Sequence, residues 1–192
     1  DLMEEAQKEA EDNHESEVEH EQEHGAVNPH YWLSVPNAMK IAKDVSDELS
    51  DLYPEYANVF QQNLSDYTIE LNQAQKEFFV LLEGKENREI ATFHNAWGYF
   101  AESLGLEVVT TFEEFPGEEP SPSYTASFQE KIKQSGVTVV FAEPQLSLRT
   151  IEPIASDLGV TISTLDPLGG TSGRETYISL MRYNVNQVAE AL

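Results

Sequence analysis

The chain has 192 residues, 40% hydrophobic and 10% aromatic, enough for one α/β domain with a packed core plus accessory segments. Its formal net charge is -24, with 11 of the 35 acidic residues in positions 1–24, where Lys8 is the only base; so negative a surface repels phosphate backbones and disfavours nucleic acid as a partner. There is no cysteine, which excludes disulfides, thiolate metal sites and cysteine nucleophiles.

No run approaches the roughly 18 apolar residues of a membrane span. No basic-then-apolar leader is present either. The chain begins at Asp1 inside an acidic run, which reads as a processed product or a fragment.

Residues 1–27 are rich in Glu, Asp and His and nearly free of aliphatic side chains, so they read as an acidic flexible loop. His14, His20 and His24 sit among its carboxylates, and a solvated loop and a metal-collecting loop are both open readings. The fold is expected to begin near Asn28, and Pro36-Asn37-Ala38 opens a helix through about Leu52. Ala38, Ile41, Ala42, Val45 and Leu49 mark its apolar face, and Pro54 breaks it. From 55 to 83, Tyr56, Phe60, Leu64, Tyr67, Leu71, Ala74, Phe78 and Leu81 recur at steps of three and four, which predicts one helix of roughly 40 Å. Gly84 stands where a C-terminal cap is expected.

Beyond Gly84 the pattern turns to strands alternating with helices. Strands are predicted at Glu89–Phe93, Glu107–Thr111, Val137–Ala142 and Thr161–Leu165. Helices are predicted at Ala96–Leu104, from Ser121-Pro122 to Ser135, at Ser147–Leu158 and at Arg174–Leu192. A Gly/Pro/Glu-rich loop covers Glu113–Pro120, and Pro167–Gly173 reads as a flexible loop without the Lys of a P-loop. Alternating strands and helices imply an α/β fold with a parallel four-stranded sheet covered by helices.

Ligands of open parallel sheets bind beyond the carboxyl ends of the strands. His94, Glu143 and Asp166 each follow a predicted strand, so the topology brings them to one edge. Each also has a plainer reading. His94 could bond the backbone at a helix start, Glu143 could cap the following helix, and Asp166 before Pro167 could form an Asx-type turn. His30 is the fourth candidate. Two imidazoles and a carboxylate form a natural partial shell for Zn²⁺. Gly-x-Ser-x-Gly does not occur.

Four segments occur in order: Asn28-Pro29-His30-Tyr31-Trp32-Leu33-Ser34, Phe93-His94-Asn95-Ala96-Trp97-Gly98-Tyr99-Phe100, Phe141-Ala142-Glu143-Pro144-Gln145 and Thr164-Leu165-Asp166-Pro167-Leu168-Gly169. Together, and with the acidic His-bearing loop before them, they resemble the zinc-specific solute-binding proteins of bacterial ABC transporters. The resemblance implies two α/β lobes joined by a long helix, with the metal in the cleft between lobes. Residues 28–54 would then end an N-terminal lobe, 55–84 would be the connecting helix, and 85–192 would form the C-terminal lobe. It also implies His30, His94 and Asp166 as metal ligands, Glu143 as a residue orienting a ligand, and His14, His20 and His24 as an auxiliary metal loop. A first His ligand, most of an N-terminal lobe and a signal or lipid-anchor sequence would lie outside this chain. Asn28 stands where Asp is common in the motif.

The expected function is therefore extracytoplasmic zinc capture, in the periplasm or at the cell surface, by a monomer that delivers Zn²⁺ to a permease and catalyses nothing. Manganese or nickel as the bound metal is the alternative within this class. From other classes come a zinc hydrolase with Glu143 as base, and a surface adhesion protein using the acidic face.

Overall fold

The computed structural model describes residues 28–113, 117–118 and 120–192. The acidic segment 1–27 with His14, His20 and His24 lies outside the described residues, as does part of the 113–120 loop. The architecture is α/β. Two helices, α1 (Val35–Leu52) and α2 (Ala57–Leu81), precede β1 (Glu89–His94), α3 (Gly98–Leu104), β2 (Glu107–Glu113), α4 (Pro122–Ser135), β3 (Val139–Ala142), α5 (Ile151–Leu158), β4 (Thr161–Thr164) and α6 (Tyr177–Ala191).

All strand pairs are parallel, in the order β2-β1-β3-β4. Side chains alternate across a strand, and here the alternation divides the core in two. Ile90 and Phe141 pack on one face with Leu71, Phe78, Trp97, Phe100 and Val185. Ala91, Phe93, Val140 and Ala142 pack on the other with Phe112, Phe128, Ile132 and Ile151. Helices α2, α3 and α6 thus cover one face, and α4 and α5 the other.

The long helix of 25 residues spans about 37 Å. Only its second half is anchored: Leu71, Ala74 and Phe78 are buried, while Tyr56 and Val59 are more than half exposed. Its first half lies against α1, where Val45 of the expected apolar face is exposed and Ser46 is buried instead. A bidentate pair from Arg182 on α6 to Glu77 (2.7 and 2.8 Å) joins α6 to the second half of α2. Being exposed, such a pair contributes under about 1 kcal/mol.

Element boundaries shift from the sequence reading for local reasons. Strand β1 runs one residue further, so His94 is its last residue and pairs with Glu113 of β2. Helix α5 starts at Ile151 rather than Ser147, because Ser147–Thr150 form turns with Ile151 N–H donating to Leu148 O. Helix α6 starts at Tyr177, where Thr176 and Ser179 build a capping box. Replacing Phe78 by Ala should cost about 3–5 kcal/mol, since the ring is fully buried between helix and sheet. Val80→Ala, on the exposed side of the same turn, should stay within about 0.5 kcal/mol. Urea unfolding followed by circular dichroism checks both.

Candidate metal centre

The strand order reverses between β1 and β3, since β2 lies outside β1 and β4 lies outside β3. The crevice beyond the strand ends belongs at that switch point. It is formed here by His94, the last residue of β1, and Glu143, the first after β3. A cavity of about 180 Å³ opens there, lined by His30, Trp32, His94, Glu143, Gln145 and Leu146, with Pro167 and Leu168 at its side. A larger hollow of about 590 Å³ lies along β2, but no histidine lines it. The smaller one holds the coordinating chemistry.

His30 arrives from the segment before α1. Leu33 is fully buried, the Ser34 hydroxyl caps α1 by accepting from Asn37 N–H, and Trp32 Nε1 donates to Pro167 O at 3.0 Å. Asn28 fixes the imidazole: its Oδ1 accepts the His30 backbone N–H at 3.0 Å and lies 2.7 Å from Nδ1. The same amide donates through Nδ2 to Asn95 O at 3.1 Å, tying His30 to the turn after β1. The His30 and His94 rings meet at a centroid distance of 5.2 Å, inclined by 70°.

His94 is held in a parallel way. Its Nδ1 lies 2.9 Å from Glu143 Oε1, off the line of a good hydrogen bond but within close electrostatic contact. Trp97 Nε1 donates to the same Oε1 at 2.7 Å. Glu143 Oε2 is buried without a hydrogen-bond partner among the described residues. Each histidine thus has an oxygen at Nδ1, leaving Nε2 as the nitrogen available to a ligand. Glu143 Oε1 lies on the Nδ1 side of His94.

Burial pushes the His30 pKa below the usual imidazole value, the neighbouring His94 pushes the same way, and Glu143 opposes both. His30 is therefore neutral near pH 7, with a lone pair to offer.

Asp166 follows β4 and is 1% exposed. Its Oδ1 accepts from Gln145 Nε2 (3.1 Å), Leu168 N–H (3.0 Å) and Gly169 N–H (3.1 Å). Its Oδ2 pairs with Arg174 Nη1 at 2.8 Å. Burial opposes ionisation of this carboxyl, but the Leu168 and Gly169 amides, Gln145 and Arg174 together hold its pKa below the ordinary carboxylate value. The Asx-type turn and the strand-end position are thus both present. Among the described residues no three His, Asp or Glu side chains converge on one point. His30 and His94 come together with Glu143 beside them, whereas Asp166 is committed to other donors.

Sequence reasoning missed the supporting residues. Asn28 carried a signal, an Asn two residues before the histidine it orients. Gln145, Arg174 and Asn184 reach Asp166 across the fold, and no spacing marks them. Asn184 is fully buried, accepts Asp166 N–H and donates to Asp166 O, both at 2.8 Å.

Comparison with known proteins gives the family. The profile of the family described as zinc-uptake complex component A, periplasmic (ZnuA), matches residues 2–191, and the chain belongs to that family. The zinc-binding protein AdcA of Streptococcus pyogenes is 30% identical over 187 residues, 95% of this chain and 36% of the relative. The high-affinity zinc uptake system protein ZnuA of Haemophilus influenzae is 29% identical over 168 residues, 86% of this chain and 50% of the relative. A crystal structure of ZnuA superposes with a TM-score of 0.78 at 28% identity, covering 92% of this chain and 67% of that one. The chain thus spans between about a third and a half of the length of these curated relatives.

Asn184→Ala should destabilise the fold by about 1–3 kcal/mol by leaving buried Asp166 backbone groups unpaired. Chemical denaturation would measure it.

Proposed function

We propose, on the premise of that family membership, that this chain captures Zn²⁺ outside the cytoplasmic membrane and hands it to the permease of an ABC transporter. The observation that carries this reading is the facing pair of imidazoles at 5.2 Å, each with an oxygen at Nδ1. Zinc accepts nitrogen donors readily and takes four ligands in tetrahedral geometry. His30 and His94 would bind through Nε2, Glu143 would orient His94, and Asp166 would flank the site. Metals that seek oxygen, such as manganese, fit two imidazoles less well. Capture and release need coordination alone, with no covalent step and no catalytic residue.

Residues 28–54 we take as the end of an N-terminal lobe, 55–84 as the connecting helix and 85–192 as the C-terminal lobe. Two things support this division: the relatives extend well beyond the matched region, and large apolar side chains on α1 and the start of α2 are exposed. Further ligands would come from outside residues 28–192. The histidines His14, His20 and His24 would gather metal near the cleft, in keeping with their acidic surroundings. The protein would act as an exported or lipid-anchored monomer, and its negative charge argues against nucleic acid as a partner.

Calorimetric titration of the metal-free chain should show Zn²⁺ binding that vanishes in His30→Ala, His94→Ala. Undiminished binding in that double variant would refute the assignment. Asn28→Ala, which frees the His30 ring, should weaken binding about 10–100-fold. Protons compete with metal for imidazole, so binding is full above the ligand pKa and lost as pH falls through it. Because the His30 pKa is lowered, its contribution should persist to a pH below about 6.5. A pH series of the same titration checks this.

A further inference from the structure

We propose that Arg174 sets the metal preference of this site by holding the Asp166 carboxylate away from the bound ion. The inference rests on the zinc-capture reading above and adds a determinant of specificity to it.

The carboxylate is adjacent to the cavity but does not line it. Gln145, which donates to Asp166 Oδ1, lines the cavity, as do Pro167 and Leu168 on the C-terminal side of Asp166. Three donors hold Oδ1, and Oδ2 is ion-paired with Arg174 Nη1 at 2.8 Å, off the line of a good hydrogen bond. Arg174 is itself built in rather than a solvated side chain. Gly170 N–H donates to Arg174 O and Arg174 N–H donates to Thr171 O, both at 2.9 Å, closing the turn that the sequence alone suggested was flexible. Gly169 makes that turn possible: its φ is +70°, and a Cβ there would lie 2.7 Å from Arg174 O. The guanidinium stacks on the Tyr183 ring of α6 at 4.5 Å, and only 18% of the side chain is exposed. A turn and a helix thus aim one cation at one carboxylate oxygen.

The consequence is chemical. Hard cations such as Mn²⁺ depend on carboxylate oxygens, whereas Zn²⁺ is well served by imidazole nitrogen. Glu143 faces the Nδ1 side of His94, away from the Nε2 that would hold metal. With Asp166 engaged by Arg174, the cavity presents two imidazoles and one open carboxylate oxygen, Glu143 Oε2, rather than two open carboxylates. Without Arg174, Oδ2 would be a buried, charged and unpaired oxygen beside the cavity. A cation there would satisfy it, and an oxygen-seeking one would gain most.

The test is a competition titration of the whole chain with Zn²⁺ and Mn²⁺ against a chromophoric chelator. It would compare the parent with Arg174→Gln, Arg174→Lys, and Arg174→Gln combined with Asp166→Asn. In Arg174→Gln the affinity ratio of Zn²⁺ to Mn²⁺ should fall by about tenfold or more, the scale of outer-shell effects on metal sites. Arg174→Lys, which keeps a cation, should restore most of the ratio, and adding Asp166→Asn should abolish the gain in Mn²⁺ affinity. Arg174→Met, which keeps the stem over Tyr183, replaces the glutamine variant if a thermal melt shows that one unfolded. An unchanged ratio in a folded, zinc-binding variant overturns the inference while leaving zinc capture intact. So does a gain that survives Asp166→Asn. A parent chain that binds no zinc overturns the capture reading, and this inference with it.

Discussion

A carboxylate buried as deeply as that of Glu143, 3% exposed, is costly without donors, and the groups around its Oε1 organise the edge beyond the strands, while Oε2 has no hydrogen-bond partner among the described residues. Trp97 Nε1 supplies one hydrogen bond from the turn before α3, and the His94 ring at the end of β1 supplies a second close contact. Because Trp97 is itself fully buried in the core, packing against Phe100, the position of Glu143 is fixed by the packing that stabilises the lobe. His94 then has one orientation that keeps Nδ1 against the carboxylate. Site geometry follows from core geometry.

The same economy governs the other half of the edge. His30 lies outside the sheet, yet Asn28 bonds both its ring and the turn after β1, and Trp32 bonds Pro167 in the loop after β4. Two loops that follow two different strands are stitched together by the short segment before α1. The long helix α2 is anchored on the sheet side by Leu71, Ala74 and Phe78, while its first half stands with α1.

Much of this was legible in the sequence, where local pattern decides structure. The apolar run at β3 and the three-four stripe of α2 define elements that bury two faces or one stripe, and such patterns report burial directly. That His94, Glu143 and Asp166 stand at or beyond strand ends on one edge followed from topology, because parallel strands put their carboxyl ends on one side; their side chains do not meet at one point. The state of Asp166 was not legible. Gln145, Arg174 and Asn184 meet it from separate elements, and pairing across such distances leaves no trace in spacing. The start of α5 was missed for a related reason. Ser147 looks like a helix cap, yet the chain turns once more before Ile151 packs into the core. Val45 was misread as inward: α1 packs mainly against α2, and Val45 lies 53% exposed outside that contact.

The central claim is that His30 and His94 hold zinc together, each through Nε2. Nitrogen-15 NMR of the imidazole rings, before and after one equivalent of Zn²⁺, tests it most directly. The account predicts that Nε2 of both rings takes the shift of a metal-bound nitrogen while both Nδ1 atoms remain protonated against Asn28 and Glu143. Coordination through Nδ1, or a change confined to one of the two rings, would contradict it.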